Sequence, residues 1–338
     1  MALPFLVVLL IGLLFIPTLM EEEPVARLED PKVGQGPEAP KKSQTDSQTG
    51  SKNHSHQAAT GATRIETELT SDKVGPLRSE LEGIAEAYPA TYGVVIFDPS
   101  TGELVTMGAD QRFLAASLNK LPVLMTLYRA AASGVVDLED EITMQASDVQ
   151  AYGTGVLYTD YPIGYTMTLR ECARFLIKES DNTAWKMLDR YLGRNYIRGE
   201  LYRVGAYSTQ YWIPNTTTPN DVLLMLEKIS DPSYTTPDLS AEMLDVMTNT
   251  SFEDRLPQPL PEGLKVSHKI GSFGDTFGDA AIVFPEGSHD ANDAYYIVVM
   301  ASDTSEWMAS QAMREMSLAT YRTLSDAERQ GGSRTSGS

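Results

Sequence analysis

The stretch FLAASLNKLPVL, residues 113–124, places a serine one helical turn before a lysine inside an otherwise apolar run. A buried ammonium is costly unless it is paired or gives up its proton. Ser117 and Lys120 are therefore either an accident of composition or a nucleophile beside its base. Residues i and i+3 share a helix face, so the hydroxyl and the amine can touch. Ser117 falls near a helix start, where free backbone N–H groups and the dipole favour developing negative charge. Desolvation would lower the lysine pKa and let Lys120 accept the serine proton. A Ser-x-x-Lys string is also expected about once by chance in a chain of this length. Pro122 removes an N–H early in the helix, which is predicted over 117–133, and can kink it.

Two further segments bear on the choice. FLIKESDNTAWKML (175–188) carries Ser180, Asp181 and Asn182 ahead of an amphipathic run. These residue types are preferred helix caps, which is a sufficient structural reason for them. His268-Lys269-Ile270-Gly271-Ser272 closes a strand-like run, where a lysine followed by glycine can be an exposed charge before a bend. Taken in order, on a helix start, a helix junction and a strand end, the three resemble the motif set of the class A β-lactamases and related penicillin-recognising serine enzymes. The resemblance extends over about 76–328. RFLAASLNK is similar to that family's approach to its nucleophile, YTMTLRECARFLIKESDNTA to its run into the second motif, NTTTP (215–219) to the end of its loop below the active site, and GDAAIV to the strand after the third motif.

The resemblance implies roles. Ser117 would attack a strained cyclic amide or a peptide carbonyl, and Lys120 would take its proton. Backbone N–H groups of Ser117 and Ser272 would form the oxyanion hole. Ser180 would relay a proton to the departing nitrogen. Asn182 would hold Lys120 and the substrate's side-chain amide, and Lys269 would supply positive charge for the substrate carboxylate. Asp181 would bond backbone and support the turn. Arg255 stands, counted back from Lys269, where some family members carry a carboxylate-binding arginine; the other reading is a solvated loop arginine. Two departures matter. GAYSTQYWIPNTTTP (205–219) contains no Asp or Glu, whereas class A enzymes hydrolyse their acyl-enzyme with water activated by a glutamate in this loop. Glu200 belongs to the preceding helix, and Gln210 or Tyr211 is left as a candidate to position a water. Ile270 stands where the family usually has a hydroxyl that contacts the carboxylate, a role Ser272 could partly replace.

Composition narrows the remaining classes. With 338 residues, 42% of them hydrophobic, the chain can bury a large core. A net charge of −19 argues against sequence-independent nucleic-acid binding, which needs a basic footprint. Cys172 is the only cysteine, so no intrachain disulfide is possible. The four histidines and this cysteine offer no zinc-like spacing, so neither metal nor cofactor is expected. Residues 2–20 are uncharged and largely apolar, close to the span of a bilayer core, and lack a basic start or a clear cleavage site. They are expected to be an anchor or signal segment (1–20), followed by a disordered polar linker (21–75), a hydrolase domain (76–330) and a flexible tail (331–338). Strand-like runs at 91–107, 264–270, 279–284 and 294–302 bracket helical signals at 168–178, 183–192, 197–204 and 219–229. A last helix is predicted at 305–328.

The expected fold is α/β (α+β): an antiparallel sheet flanked by helices, with an inserted helical subdomain, of the β-lactamase/transpeptidase type. The expected function is an extracytoplasmic serine hydrolase that opens β-lactam amides through a Ser117 acyl-enzyme, with slow deacylation. A D,D-peptidase or esterase acting on a peptidoglycan-like acyl substrate, and a tethered cell-wall binding module, are the alternatives. A monomer is assumed.

Overall fold

The computed structural model describes residues 74–288 and 290–332. The anchor expected at 1–20, nearly all of the linker expected at 21–75 and most of the tail expected at 331–338 lie outside them. So do His54, His56 and His289. At the borders, the first helix, α1 (Val74–Ala87), already takes in residues 74–75, and the last helix reaches Gly332.

β1 (Thr91–Asp98) and β2 (Glu103–Met107) form the expected hairpin, with Val94 opposite Met107 and Asp98 opposite Glu103. β3 (Phe113–Leu114) then leads into a tight 3-10 turn, Ala116–Lys120, and only afterwards into α2 (Leu121–Ala132). The single helix expected over 117–133 is therefore two pieces. Pro122 lies in the first turn of α2, where an N–H has no helical partner to lose, so it starts that helix instead of kinking it.

The inserted middle follows. β4 (Glu141–Thr143), α3 (Leu157–Asp160) and β5 (Thr166–Thr168) precede α4 (Leu169–Lys178), and β4 pairs with β5. A reciprocal cap opens α4: Glu171 N–H donates to Thr168 Oγ1 at 3.1 Å and Thr168 N–H to Glu171 Oε2 at 2.9 Å. α5 (Asn182–Leu192), α6 (Arg194–Val204), β6 (Thr216–Thr217), which pairs with β3, and α7 (Pro219–Ser230) come next. α8 (Pro237–Val246) is a helix beyond those expected from the sequence. Its start signal was available: Thr236 caps it by accepting from Leu239 N–H at 3.2 Å, and Pro237 follows directly.

β7 (Val266–Phe273), β8 (Thr276–Val283), β9 (Tyr295–Ser302) and α9 (Glu306–Gly332) end the fold. The main sheet has the order β2-β1-β9-β8-β7, and every neighbouring pair is antiparallel. Strand side chains alternate between its faces. Val94, Ile96, Ile297 and Val299 join Leu77, Leu81, Met313 and Met316 of α1 and α9 in one core. Val95, Val298 and Met300 join Leu124, Leu127, Leu176 and Leu226 of the inserted helices in the other. The sheet is thus covered on both faces, as expected, and β7 forms the edge against which the 3-10 turn packs.

Candidate active site

The Ser117 turn packs against two glycines of the sheet. Gly271 and Gly278 are cross-strand partners on β7 and β8. A Cβ on Gly271 would come within 2.9 Å of Ala115 O and 3.2 Å of Ser117 N, so only glycine lets the strand approach the turn this closely. Ala116 has φ 46°, a costly backbone state for a residue with a side chain, and it turns the chain just before Ser117. Ser117 and Lys120 do share a face, but a 3-10 one.

Between α4 and α5, Ser180 has φ 48°, a second left-handed residue. Asp181 caps α5 by accepting from Ala184 N–H at 2.9 Å. Its other oxygen accepts Val156 N–H at 2.7 Å and Leu157 N–H at 2.8 Å, docking the 150–157 loop. A Cβ on Gly155 would lie 2.3 Å from that oxygen. The cap reading of Ser-Asp-Asn thus holds for one of its three residues. Asp181 is the cap, and its neighbours face the cleft: Asn182 Nδ2 donates to Tyr152 O at 2.9 Å while Asn182 Oδ1 accepts from Lys120.

The three motifs meet through two buried amines. Lys120 Nζ lies 3.1 Å from Ser117 Oγ, 3.1 Å from Ser180 Oγ, 2.5 Å from Ser180 O and 2.7 Å from Asn182 Oδ1. Lys269 Nζ donates to Ser180 Oγ at 2.9 Å and to Ile270 O at 3.0 Å. Lys120 is only 2% exposed and Lys269 1%, so Lys269 is not the exposed charge that its motif alone would allow. Burial, reinforced by Lys269, drives Lys120 well below the usual lysine range, against an opposing pull from Asp181. Burial also lowers Lys269 to about 7, with Asp279 opposing and Arg255 assisting. A neutral Lys120 has two hydrogens and one lone pair. Ser180 O and Asn182 Oδ1 can only accept, so they take the hydrogens and leave the lone pair for a hydroxyl proton.

Arg255 is not a solvated loop residue. It is 1% exposed, with one terminal nitrogen donating to Gly271 O at 3.0 Å and Gly278 O at 2.8 Å. The other reaches Ser272 Oγ at 2.6 Å and Glu306 Oε1 at 3.3 Å. Because guanidinium only donates, Ser272 Oγ accepts from it, and the Ser272 hydroxyl hydrogen is free to point elsewhere. Ser272 itself is exposed and lines the cleft, as do Ser117, Lys120, Ser180, Asn182, Arg255 and Ile270, around a volume of ≈ 780 Å³.

The opposite side of the cleft is what sequence reasoning missed. Trp185 stacks on Trp212 at 4.8 Å, Arg194 lies 3.6 Å over the Trp212 ring, and Lys186 lies 4.5 Å over it. No carboxylate comes from 205–219. Neither candidate for holding a water lines the cleft. Tyr211 is buried with its hydroxyl donated to Asp189 Oδ1 at 3.1 Å, and Gln210 is exposed and bridged to Thr216 through its backbone. Glu200 is likewise committed elsewhere, bonded to Arg203 and to the Tyr234 hydroxyl. The acids that do line the cleft, Glu253, Asp254 and Glu306, enter beside Arg255.

The family model described as the beta-lactamase enzyme family matches residues 76–324. The chain belongs to this family. Beta-lactamase 3 of Bacillus cereus is 25% identical over 254 residues, covering 66% of this chain and 77% of the relative. A leucine-to-glutamate variant of PBP-A, solved as its acyl-enzyme complex with penicillin G, shares 27% identity at a TM-score of 0.68, covering 75% of this chain and 97% of that one. An ancestral class A β-lactamase superposes with a TM-score of 0.66 at 22% identity, covering 73% and 99%, which shows the common fold. As a family member the chain is a hydrolase with the β-lactamase/transpeptidase architecture.

Proposed function

We propose that the chain is a serine acyl-hydrolase that opens β-lactam amides through a Ser117 acyl-enzyme and releases the product slowly. The observation that carries this is the buried Lys120 amine 3.1 Å from Ser117 Oγ. Lys120 takes the Ser117 hydroxyl proton as Oγ adds to the amide carbonyl. The oxyanion draws on the backbone N–H groups of Ser117 and Ser272. As the C–N bond breaks, Ser180 Oγ gives its proton to the departing nitrogen and recovers one from Lys120, which ends neutral. Lys269 and the Ser272 hydroxyl, backed by Arg255, receive the substrate carboxylate. Asn182 Nδ2, on Tyr152 O in the free enzyme, lies where a side-chain amide of the substrate can be met.

Removal of the acyl group is a separate matter. A general base is typically worth about 10²–10⁴-fold, and the loop where family members carry theirs brings no acid here. That favours a second reading, a penicillin-binding D,D-peptidase or esterase whose acyl-enzyme with β-lactams persists. Either substrate class lies outside the cytosol, so the same reading puts the domain there, held by residues 2–20.

The test is intact-mass measurement of the purified full chain with penicillin G over time. A transient adduct supports hydrolysis and a lasting one the penicillin-binding reading. No adduct leaves a non-catalytic cell-wall binding module. Ser117→Ala should abolish the adduct; an adduct that survives it would move the nucleophile to another serine.

A further inference from the structure

From Glu253 on the cleft wall, a chain of charged groups that the chemistry above does not use runs inward. His268 is wholly buried, on the face of β7 opposite Lys269. Its Nδ1 is 3.0 Å from Asp279 Oδ1, and Asp279, also wholly buried, accepts Leu256 N–H at 3.1 Å through its other oxygen. Its Nε2 is 3.2 Å from both Glu253 Oε1 and Thr250 Oγ1. Asp279 and Glu253 outweigh the burial that opposes the charge, and raise His268 to about 9, so at neutral pH it is an imidazolium between two carboxylates.

These contacts grip one segment, 250–256, at both ends. Thr250 and Glu253 are held to His268, and Leu256 to Asp279, with Arg255 between them. The same segment is tied toward the second motif, since Ser251 N–H donates to Lys178 O at 3.0 Å and the Ser251 hydroxyl to Glu179 Oε2 at 2.6 Å. The guanidinium of Arg255 must meet two carbonyls on neighbouring strands and one hydroxyl at once. Such a fit depends on the register of its backbone against β7 and β8. A long side chain on an untethered loop would lose it, because bidentate geometry tolerates little displacement.

We propose that the Glu253–His268–Asp279 network is a positioning device for Arg255, and that it sets this enzyme's preference for acyl substrates bearing a carboxylate. The inference rests on the Ser117 acyl-enzyme reading. His268 and Asp279 touch no substrate; His268 acts through Arg255 and its partner Ser272, while Asp279 in addition supports the charge on Lys269.

The probe is the pair penicillin G and its methyl ester, which differ only in the charged group. Acylation rates of the purified full chain are followed by intact mass, for wild type, His268→Gln and Asp279→Asn, with circular dichroism as the check on folding. Wild type should prefer the acid. Each variant should lose at least about tenfold of that preference, the range for a hydrogen bond to a charged group, while the methyl ester rate holds within about threefold. A merely structural role would lower both rates together and leave the ratio intact, which overturns the proposal. An unchanged pair of rates overturns it as well. Should His268→Gln not fold, Glu253→Gln decides by the same ratio, because it cuts the network without touching the Asp279 charge that supports Lys269. Absence of adduct in wild type with either compound would instead sink the acyl-enzyme reading and this inference with it.

Discussion

The two sides of the cleft are built to different standards. On one, two amines, two hydroxyls and an amide are joined by hydrogen bonds of 2.5–3.1 Å, and both lysines are buried. On the other, Trp212 of the 205–219 loop stacks on Trp185 of α5 with Lys186 and Arg194 over its ring, and the loop brings no acid. Forming an acyl-enzyme and hydrolysing it need different equipment. The first requires a base touching the nucleophile, and the second a base touching a water. On the proposed reading these two requirements are met to unequal degree, and the lifetime of a Ser117 acyl-enzyme is the quantity that tells them apart.

The sharpest way to break the contrast is to disable the complete side. Lys120→Met should slow acylation by about 10²–10⁴-fold, the usual worth of general-base catalysis. Rates of adduct formation by mass spectrometry measure this, and a change under about threefold would mean that Lys120 is not the base. Methionine keeps the volume without burying an unpaired charge.

The converse is to furnish the poorer side. Asn215 lines the cleft, donates only a long 3.5 Å contact to Ala116 O, and its Oδ1 has no hydrogen-bond partner among the described residues. Asn215→Asp places a carboxylate there with little change of shape, and its φ of 55° suits either residue. The acyl-enzyme should then decay up to about 10²-fold faster, with acylation changed little. An unaltered lifetime would show that acid at this position does not reach the acyl carbon.

Smaller effects refine the carboxylate end. Ile270→Thr restores a hydroxyl beside Ser272 and should strengthen capture of penicillin G by about tenfold, and of its methyl ester hardly at all. Saturation curves for the two compounds separate these outcomes.

The pH profile should carry the same signature more faintly. Lys120 acts only when neutral, so acylation rises as pH climbs through its depressed value. Lys269 holds a carboxylate only when charged, and with a pKa lowered to about 7 it loses that charge as pH rises further. Penicillin G should therefore give a bell with its alkaline limb near 7, and the methyl ester should lack that limb. Identical limbs for both would assign the descent to some other group.

Much of this architecture was readable in one dimension. The β1–β2 hairpin, the strands β7 to β9 and the flanking helices α4, α5, α7 and α9 follow from periodicity and caps, which act over a few residues. Ser117, Lys120, Ser180, Asn182 and Lys269 could be picked out because their three motifs, in that order, resemble the family's set; taken singly, each had a sufficient bland reading. Other features were illegible for want of a local cause. The close approach of β7 to the Ser117 turn at Gly271 joins segments far apart in sequence. The burial of Arg255 depends on carbonyls from two strands.

The amino-acid sequence by itself determined which groups are present, in what order, on which local elements, and that one loop carries no acid. Only the tertiary structure decided that Lys120 and Lys269 share the Ser180 hydroxyl, that Arg255 is buried against carbonyls of two strands, and that neither Tyr211 nor Glu200 faces the cleft. The reason is one of range. Backbone preference and amphipathic period are set by neighbours along the chain, whereas desolvation and hydrogen-bond partnership arise from segments brought together only when the sheet closes.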